Sequence, residues 1–242
     1  MITTLWEGIR FIMKRIRLIT AAFLALTLVF SPSCGKEKTR IEMSEGERLE
    51  AALNDLYEGG NFDITVDIKY DVMDGDSSTH YSNNIIQNKN KNSTVAYVKR
   101  TGDVEGEDYF IDGKYYSKEG KLLNPDFPMT LTSETMMCNI TPELMGEYSY
   151  VDGENYKTYE FKVADSKLND LVIAETGMKA TKASGSVILS LNGYLMGYKI
   201  KAVTEHWISK DMYYEYDLSL VVTVNAINDG TPKIEIPFEY DK

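Results

Sequence analysis

The stretch that best predicts the fold is Phe62-Asp63-Ile64-Thr65-Val66-Asp67-Ile68-Lys69-Tyr70-Asp71-Val72. Apolar residues fill every second position of this stretch, and polar residues fill the positions between them. Because successive side chains of a β-strand point to opposite faces of a sheet, this alternation predicts a strand with one buried face and one wet face. The rest of the fold is therefore expected to be built around a sheet that packs on one side.

Further stretches after it also have the character of strands and are separated by turn residues. They predict strands at residues 79–87, 93–100, 109–111, 114–117, 156–163, 184–191, 195–207, 212–227 and 233–237. The turn pairs Asp112-Gly113 and Asn192-Gly193 favour tight hairpins, because both central residues of such turns need a positive φ angle. The order of strands and hairpins predicts a long antiparallel sheet.

Two helices and a helical insertion are predicted beside the sheet. Residues 44–57 begin with a capping box at Ser44 and Glu47 and carry an apolar stripe of Leu49, Ala52, Leu53 and Leu56. A second helix is expected at 165–176. A mid-chain helix should begin after Thr132 or Ser133, and Pro142 suits the first turn of another. The fold class predicted is α+β.

The N-terminal segment has the features of an export signal. Lys14, Arg15 and Arg17 precede an uncharged apolar run at residues 18–30, and small residues then lead to Cys34. The run is shorter than the roughly 20 residues of a spanning helix. It resembles the signal of bacterial lipoproteins, in which a small residue, here Ser33, precedes a lipidated cysteine. The resemblance implies a lipid on Cys34 and a location on the extracytoplasmic face of a bacterial membrane.

Other interpretations of this segment are an ordinary secretory signal or a short membrane anchor. In the lipoprotein interpretation, residues 1–33 are the signal, with Met13 as an alternative translation start, and residues 34–43 are the lipidated cysteine and a polar tether. Residues 44–242 are then a single extracytoplasmic domain.

Composition limits the classes of partner. The formal net charge of the chain is −11, and residues 1–33 carry +3, so the remainder carries −14. Such an acidic chain disfavours nucleic acid and anionic surfaces as partners, although solubility alone also explains the charge. With Cys34 modified, Cys138 would be the only thiol, and we expect it to be buried.

Catalytic and metal sites find little support in the sequence. His80 and His206 are isolated, and no serine lies in a nucleophile elbow. Acidic residues cluster at 103–108 and 71–76, but neither cluster matches the 12-residue calcium loop. We therefore expect no enzyme, no cofactor and no metal.

The mid-chain insertion is the feature that points to a ligand. Four of the 11 methionines lie within 17 residues. Methionine suits adaptable apolar surfaces, so the insertion could line a cavity, or its side chains could simply complete the core. The candidate ligand-binding residues are Met129, Leu131, Met136, Met137, Leu144 and Met145.

The order of elements resembles the LolA/LppX-like group of bacterial envelope proteins. The resemblance covers Cys34, the helix at 44–57, the strand at 62–72, the Asp112-Gly113 hairpin, the strand pair around residues 193–200 and the closing segment 234–237. It implies a curved, half-open antiparallel barrel whose concave face is covered by the helices and binds a lipid or other apolar ligand. The alternative is an envelope lipoprotein with a filled core that holds another protein through its acidic, tyrosine-rich surface.

Overall fold

The computed structural model describes residues 39–58, 60–73, 75–123, 138, 140–171, 179–209 and 212–240. Residues Arg40–Lys242 form one compact unit. This unit contains all the helices and strands named below, and it begins at Arg40, four residues before the predicted domain start at Ser44. Cys34 lies outside the described residues.

Ten antiparallel strands form one open, curved sheet, so the predicted α+β fold class is confirmed. The spatial order is β5-β4-β3-β2-β1-β10-β9-β8-β7-β6. The strands are β1 (Phe62–Val72), β2 (Ser78–Lys89), β3 (Thr94–Gly102), β4 (Gly106–Ile111), β5 (Lys114–Ser117), β6 (Tyr148–Asp152), β7 (Tyr156–Lys162), β8 (Lys179–Ser190), β9 (Leu195–Ser209) and β10 (Met212–Ile227).

Strand β1 lies at the centre of the sheet and confirms the prediction for residues 62–72. Val66 pairs with Asn83 of β2 on one side and with Val222 of β10 on the other. Phe62, Ile64, Val66 and Ile68 are at most 1% exposed, whereas the residues between them are only partly buried. We call the face that carries these four side chains the inner face, and the opposite one the outer face.

Helix α1 (Glu45–Glu58) packs on the inner face. The predicted capping box is present: the Ser44 N–H donates to Glu47 Oε2 at 2.8 Å, and the Glu47 N–H donates to Ser44 Oγ at 3.4 Å. The predicted stripe of Leu49, Ala52, Leu53 and Leu56 is fully buried in the main core. Burial of this stripe against the sheet supplies most of the stability of such a helix.

The start of α1 is fixed to β7, near one edge of the sheet, by a polar contact. The Glu45 carboxylate accepts hydrogen bonds from Lys157 Nζ at 2.8 Å and from the Tyr159 hydroxyl. Partial burial raises the pKa of Glu45, but these two hydrogen bonds outweigh it and lower the pKa below its usual value. The carboxylate therefore stays ionised and couples the helix to β7.

A single-turn helix, α2 (Pro142–Met145), follows the mid-chain region. Thr141 caps it, with Oγ1 accepting from the Leu144 N–H at 3.2 Å, and Pro142 occupies the first turn as predicted. The helix predicted to start after Thr132 or Ser133 lies outside the described residues, apart from Cys138. The Cys138 side chain is buried, as predicted, and burial raises its pKa to about 12.

Two predicted elements are wrong. Residues 165–171 do not form an α-helix: Asp165–Asp170 is a 3-10 helix, and Leu171 is already extended. Leu168 and Leu171 are both buried, and their three-residue spacing suits the 3-10 geometry equally well. The rest of the predicted helix, from residue 172, lies outside the described residues.

The closing strand predicted at 233–237 does not form either. Ile234, Ile236, Phe238 and Tyr240 do alternate toward the protein, but they pack on the outer face against Tyr109, Ile111 and Tyr116, outside any strand ladder. Pro232 and Pro237 lack the N–H groups that a strand ladder needs. The segment is held instead at Asn88, whose Nδ2 donates to the Pro232 carbonyl at 2.9 Å.

Candidate functional site

The inner face of strands β1 to β4 carries an apolar wall. Registry places Ile64, Ile85 and Val98 in one row across three strands. The next row toward the β2–β3 turn contains Phe62, Gln87, Ala96 and Phe110. The apolar members of both rows are at most 5% exposed and belong to the main core.

A polar cluster interrupts this wall. The guanidinium of Arg100 on β3 pairs with the carboxylate of Asp108 on β4, and the two side chains are only 15% and 12% exposed. The Tyr115 hydroxyl of β5 donates to the same Asp108 oxygen at 2.5 Å. Burial, followed by the contact with Asp108, raises the pKa of Tyr115 to about 12. The cluster therefore holds a charge-balanced ion pair in a largely dry environment.

Asn83 lies beside this ion pair on the inner face. Its register partners are Arg100 on β3 and Val66 on β1. The Asn83 side chain is 0% exposed, and among the described residues neither Oδ1 nor Nδ2 has a hydrogen-bond partner. Burial of an amide without compensating hydrogen bonds costs about 1–3 kcal/mol by mutational measures. The Asn83 amide therefore presents one hydrogen-bond acceptor, Oδ1, and two N–H donors on Nδ2 within an apolar wall.

The polar strip continues one row further along β1 and β2. The hydroxyls of Tyr70 and Tyr81 lie 2.7 Å apart, and their ring centroids are separated by 6.0 Å. Tyr81 is 6% exposed. The inner face therefore carries hydroxyl, amide and guanidinium groups near Tyr81 and mainly apolar side chains near Phe62, where the buried Gln87 donates to the Gly60 carbonyl.

Two of the six predicted ligand-binding residues are described, and they lie in the core. Leu144 is 4% exposed and Met145 0%, and both pack in the same cluster as Cys138 and Ile140. Met129, Leu131, Met136 and Met137 lie outside the described residues. The structure therefore brings Leu144 and Met145 together, and a role for the six residues in ligand binding stays a prediction.

Two tyrosines hold the backbone that leads to α2. The Tyr57 hydroxyl donates to the Cys138 carbonyl at 3.0 Å and accepts from the Ile140 N–H at 3.0 Å. The Tyr198 hydroxyl donates to the same carbonyl at 2.8 Å. Burial holds the pKa of Tyr198 well above its usual value, so this anchor remains protonated.

A depression lies on the outer face of β7 to β10, with a volume of about 520 Å³. Its lining includes Lys162, Lys182, Lys201, Asp71 and Asp217. The three lysines and Asp217 are exposed to solvent; the lysines lie on β7, β8 and β9, and the two aspartates pair across β1 and β10. A solvated polar sheet face explains this arrangement, and it provides no buried group to recognise a ligand.

The acidic clusters noted in the sequence have structural partners. Asp108 pairs with Arg100, Asp71 lies 2.7 Å from Lys69 Nζ, and Asp103 Oδ2 accepts from the His80 N–H at 2.7 Å. Within the described ranges, no group of three or more histidine, cysteine, aspartate or glutamate side chains could hold a metal ion. The side chains of His80 and His206 are exposed.

The sequence interpretation missed Asn83 and Arg100 and considered Asp108 only as part of an acidic turn. A signal was nevertheless present. Tyr81, Asn83, Ile85 and Gln87 share one parity of β2, and Ala96, Val98 and Arg100 share one parity of β3. A polar residue at the same parity as a run of apolar residues indicates a polar group on the buried face of a strand.

No protein-family model matches the chain, and no curated protein matches it. Solved structures similar to it include a LolA superfamily protein from Nitrosomonas europaea, with 9% identity and a TM-score of 0.29, covering 80% of this chain and 96% of that one. Another is Rv2717c from M. tuberculosis, with 11% identity and a TM-score of 0.28, covering 74% and 98%. With TM-scores this low, the likenesses say nothing about function.

The described part of the chain contains no helix with the length and apolar character needed to cross a bilayer.

Proposed function

We propose that the chain is a lipoprotein anchored through Cys34 to the extracytoplasmic face of a bacterial membrane, and that it binds an amphipathic ligand on the inner face of β1 to β4. The observation that carries the binding proposal is Asn83, which is completely buried with both side-chain polar atoms unpartnered among the described residues. A bound polar group would supply the missing hydrogen bonds. The role is that of a binding protein and not of an enzyme.

The polar cluster favours a neutral head group. Asp108 already balances the charge of Arg100, so a further anion would meet a carboxylate at close range, and a further cation would meet the guanidinium. Asn83 offers an acceptor and two N–H donors, which a hydroxyl or amide group can satisfy together. The apolar rows around Ile85 and Phe110 would contact an acyl chain. The ligand class is therefore a neutral amphiphile with a hydroxyl-rich or amide head.

Two probes with the same acyl chain test this proposal. Monooleoylglycerol has a neutral hydroxyl head, whereas oleate is an anion. We expect the full-length protein to bind monooleoylglycerol at least about tenfold more tightly than oleate. A tenfold ratio corresponds to about 1.4 kcal/mol, which is the contribution of about one hydrogen bond to the neutral head group. Binding would be measured by native mass spectrometry and by calorimetry. Equal affinity for both probes, or affinity for neither, would refute the ligand class.

Variants on β2 locate the site. Asn83→Leu removes the amide from the inner face and should abolish the preference for monooleoylglycerol. Asn84→Leu makes the same chemical change at the next position, where the side chain faces outward and donates to Asp63 Oδ1 at 2.9 Å. This control should keep the preference. Loss of the preference in both variants would mean that the strand itself is damaged.

The anchor is tested separately. Mass spectrometry of the mature protein should show Cys34 at the N-terminus with an attached lipid, and Cys34→Ser should prevent that modification. An N-terminus at another residue, or an unmodified Cys34 thiol, would refute the anchor without bearing on the inner-face site.

A second candidate function is supported by exposed side chains at the β9–β10 end of the sheet. Tyr213 and Tyr214 are 45% and 47% exposed there, and Met212 is 54% exposed. Such a patch suits the alternative role of holding another envelope protein. Cross-linking in cells from position 214 would capture that partner, and the absence of any captured protein would exclude this surface.

A further inference from the structure

The folded unit begins beside the β8–β9 turn. Arg40 Nη1 donates to the Gly193 carbonyl at 2.9 Å, and its guanidinium lies over the Tyr194 ring, 4.7 Å from the centroid. Arg40 also pairs with Asp55 of α1. Arg48 of α1 donates to the carbonyls of Arg40 and Ile41 at 3.1 and 3.2 Å. These contacts fix the point at which the preceding segment leaves the fold.

Exposed apolar side chains are concentrated at this point. We call them the anchor-end patch: Ile41, Tyr150, Val151, Tyr156, Leu191, Tyr194 and Met196. They make up seven of the 14 large apolar side chains that are strongly exposed in the described part of the chain, although they come from only three of the ten strands, β6, β7 and β9, and from the segments beside them. Ile41 is 70% exposed, Val151 61% and Leu191 55%.

Strand registry joins Val151 and Tyr156 to the β8–β9 turn on the outer face, whereas Tyr150 pairs with Tyr159 and so lies on the other side of β6. Tyr156 pairs with Ser190, the residue before Leu191, and Val151 pairs with Thr158, two residues from Tyr156. The Ser190 N–H donates to the Tyr194 carbonyl at 2.9 Å and closes the turn. Exposed apolar surface of this kind, gathered at one end of a sheet, marks a contact with a partner or a membrane.

The length of chain before Arg40 indicates which of the two it is. Six residue steps separate Cys34 from Arg40, and an extended chain spans at most about 3.3–3.6 Å per residue. The Cα atom of Cys34 therefore lies within about 22 Å of the Cα atom of Arg40, whatever the conformation between them. A lipid on Cys34 would hold the anchor-end patch at the membrane surface.

We propose that the anchor-end patch docks on the bilayer interface and sets the orientation of the sheet on the membrane. This inference rests on the proposed lipid at Cys34. Tyrosine rings suit the interfacial region, where one end of the ring is apolar and the other wet, and aliphatic side chains such as Leu191 add buried area. Because the mature chain carries a formal −14, an anionic membrane surface repels the domain as a whole, and apolar insertion is the interaction that the patch itself offers.

Tryptophan reporters at two turns test the orientation. Leu191→Trp places the reporter in the anchor-end patch, and Met212→Trp places it at the opposite end of the sheet at a site of matching exposure, 54% against 55%. The mature full-length variants would be reconstituted in phosphatidylcholine vesicles with bromine on the upper acyl chain. The parent protein, which has its own Trp207, gives the baseline.

We expect the Leu191→Trp variant to lose emission in brominated vesicles and to shift to shorter wavelength, with no change for Met212→Trp. Equal quenching of both, or of neither while the protein stays with the vesicles, would overturn the docking surface and leave the lipid on Cys34 intact. A blue shift of Leu191→Trp that depends on protein concentration in detergent would instead show a second copy covering the patch, which also overturns the proposal.

The mass of the mature N-terminus tests the lipid on Cys34 independently of the docking surface. If the mass shows no lipid, the proposed anchor is wrong. Leu191→Trp protein that is then mixed with the same vesicles and shows no quenching would overturn the docking of the anchor-end patch as well.

Discussion

Replacement of Asn83 by an apolar residue should stabilise the ligand-free protein, which is the reverse of what most substitutions do. The amide is fully buried, and neither of its polar atoms has a partner among the described residues. Its removal should recover the cost of burying an unsatisfied amide, about 1–3 kcal/mol. For a folded unit of about 200 residues, 1 kcal/mol corresponds to about 2–4 °C in Tm. The expected increase is therefore about 2–12 °C.

Two substitutions separate polarity from packing. Asn83→Leu keeps the number and branching of the side-chain heavy atoms, but its methyl groups are larger, and crowding can cost about 1–3 kcal/mol. Asn83→Val is smaller and suits a strand. Asn84→Leu, one residue along, removes an amide that donates to Asp63 and to the Ile64 carbonyl, so this control should lose about 0.5–1.5 kcal/mol.

Urea unfolding followed by circular dichroism would give the free energies, with delipidated protein in every sample. At least one of Asn83→Leu and Asn83→Val should unfold at a higher urea midpoint than the parent, and Asn84→Leu at a lower one. If both Asn83 variants lost more than about 1 kcal/mol, the amide would have a stabilising partner in the protein. It would then need no ligand to satisfy it, and the proposed binding site would lose its support.

Three further predictions concern the core and the outer face. Leu53→Ala should cost about 2–5 kcal/mol in urea unfolding because this side chain is 1% exposed in the core, whereas the exposed neighbour Asn54→Ala should change stability by less than about 0.5 kcal/mol. Removal of residues 233–242 should cost roughly 3–6 kcal/mol, since four partly buried side chains leave the cluster around Tyr116; an unchanged midpoint would contradict that packing. Stability should fall as pH rises above about 9, because the unfolded chain then loses protons that buried Cys138 and Tyr198 retain, and Cys138→Ala should delay the fall.

The central sheet could be predicted from the sequence because its signal is local. In β1 the alternation spans 11 residues, and the buried parity found at Phe62, Ile64, Val66 and Ile68 is the one that the sequence shows. The capping box and apolar stripe of α1 are likewise contained within one element. At the Asp112-Gly113 turn, both φ angles are positive, at 51° and 83°, as the residue types require.

The elements that were mispredicted or missed depend on contacts between distant segments. Strand β6 has no buried residue, so it shows no periodicity, and only its pairing with β7 defines it. Residues 233–240 alternate as a strand would, but their partner surface is the outer face around Tyr109. Three-residue spacing at Leu168 and Leu171 fits an α-helix and a 3-10 helix equally well, so it could not decide between them.

The candidate site illustrates the same limit. Asn83 and Arg100 each interrupt an apolar parity, which the sequence shows, but their adjacency follows from the register of β2 against β3. The pairing of Arg100 with Asp108 depends on a further register, and without it Asp108 belongs only to an acidic turn. A buried ion pair and an unpartnered amide become one site only when three strands are aligned.

The inner-face site and the anchor-end patch should behave as independent features. Strand β2, which carries Asn83, is four strands from β8, which precedes Leu191. Neighbouring strands lie about 4.8 Å apart, so roughly 19 Å of sheet separates them. Effects of substitutions that far apart usually add within about 0.5 kcal/mol. The double variant Asn83→Leu with Leu191→Ser should therefore show the sum of the two changes in unfolding free energy. A larger deviation would mean that the sheet transmits strain between its flanks, and each proposal would then need variants closer to its own site.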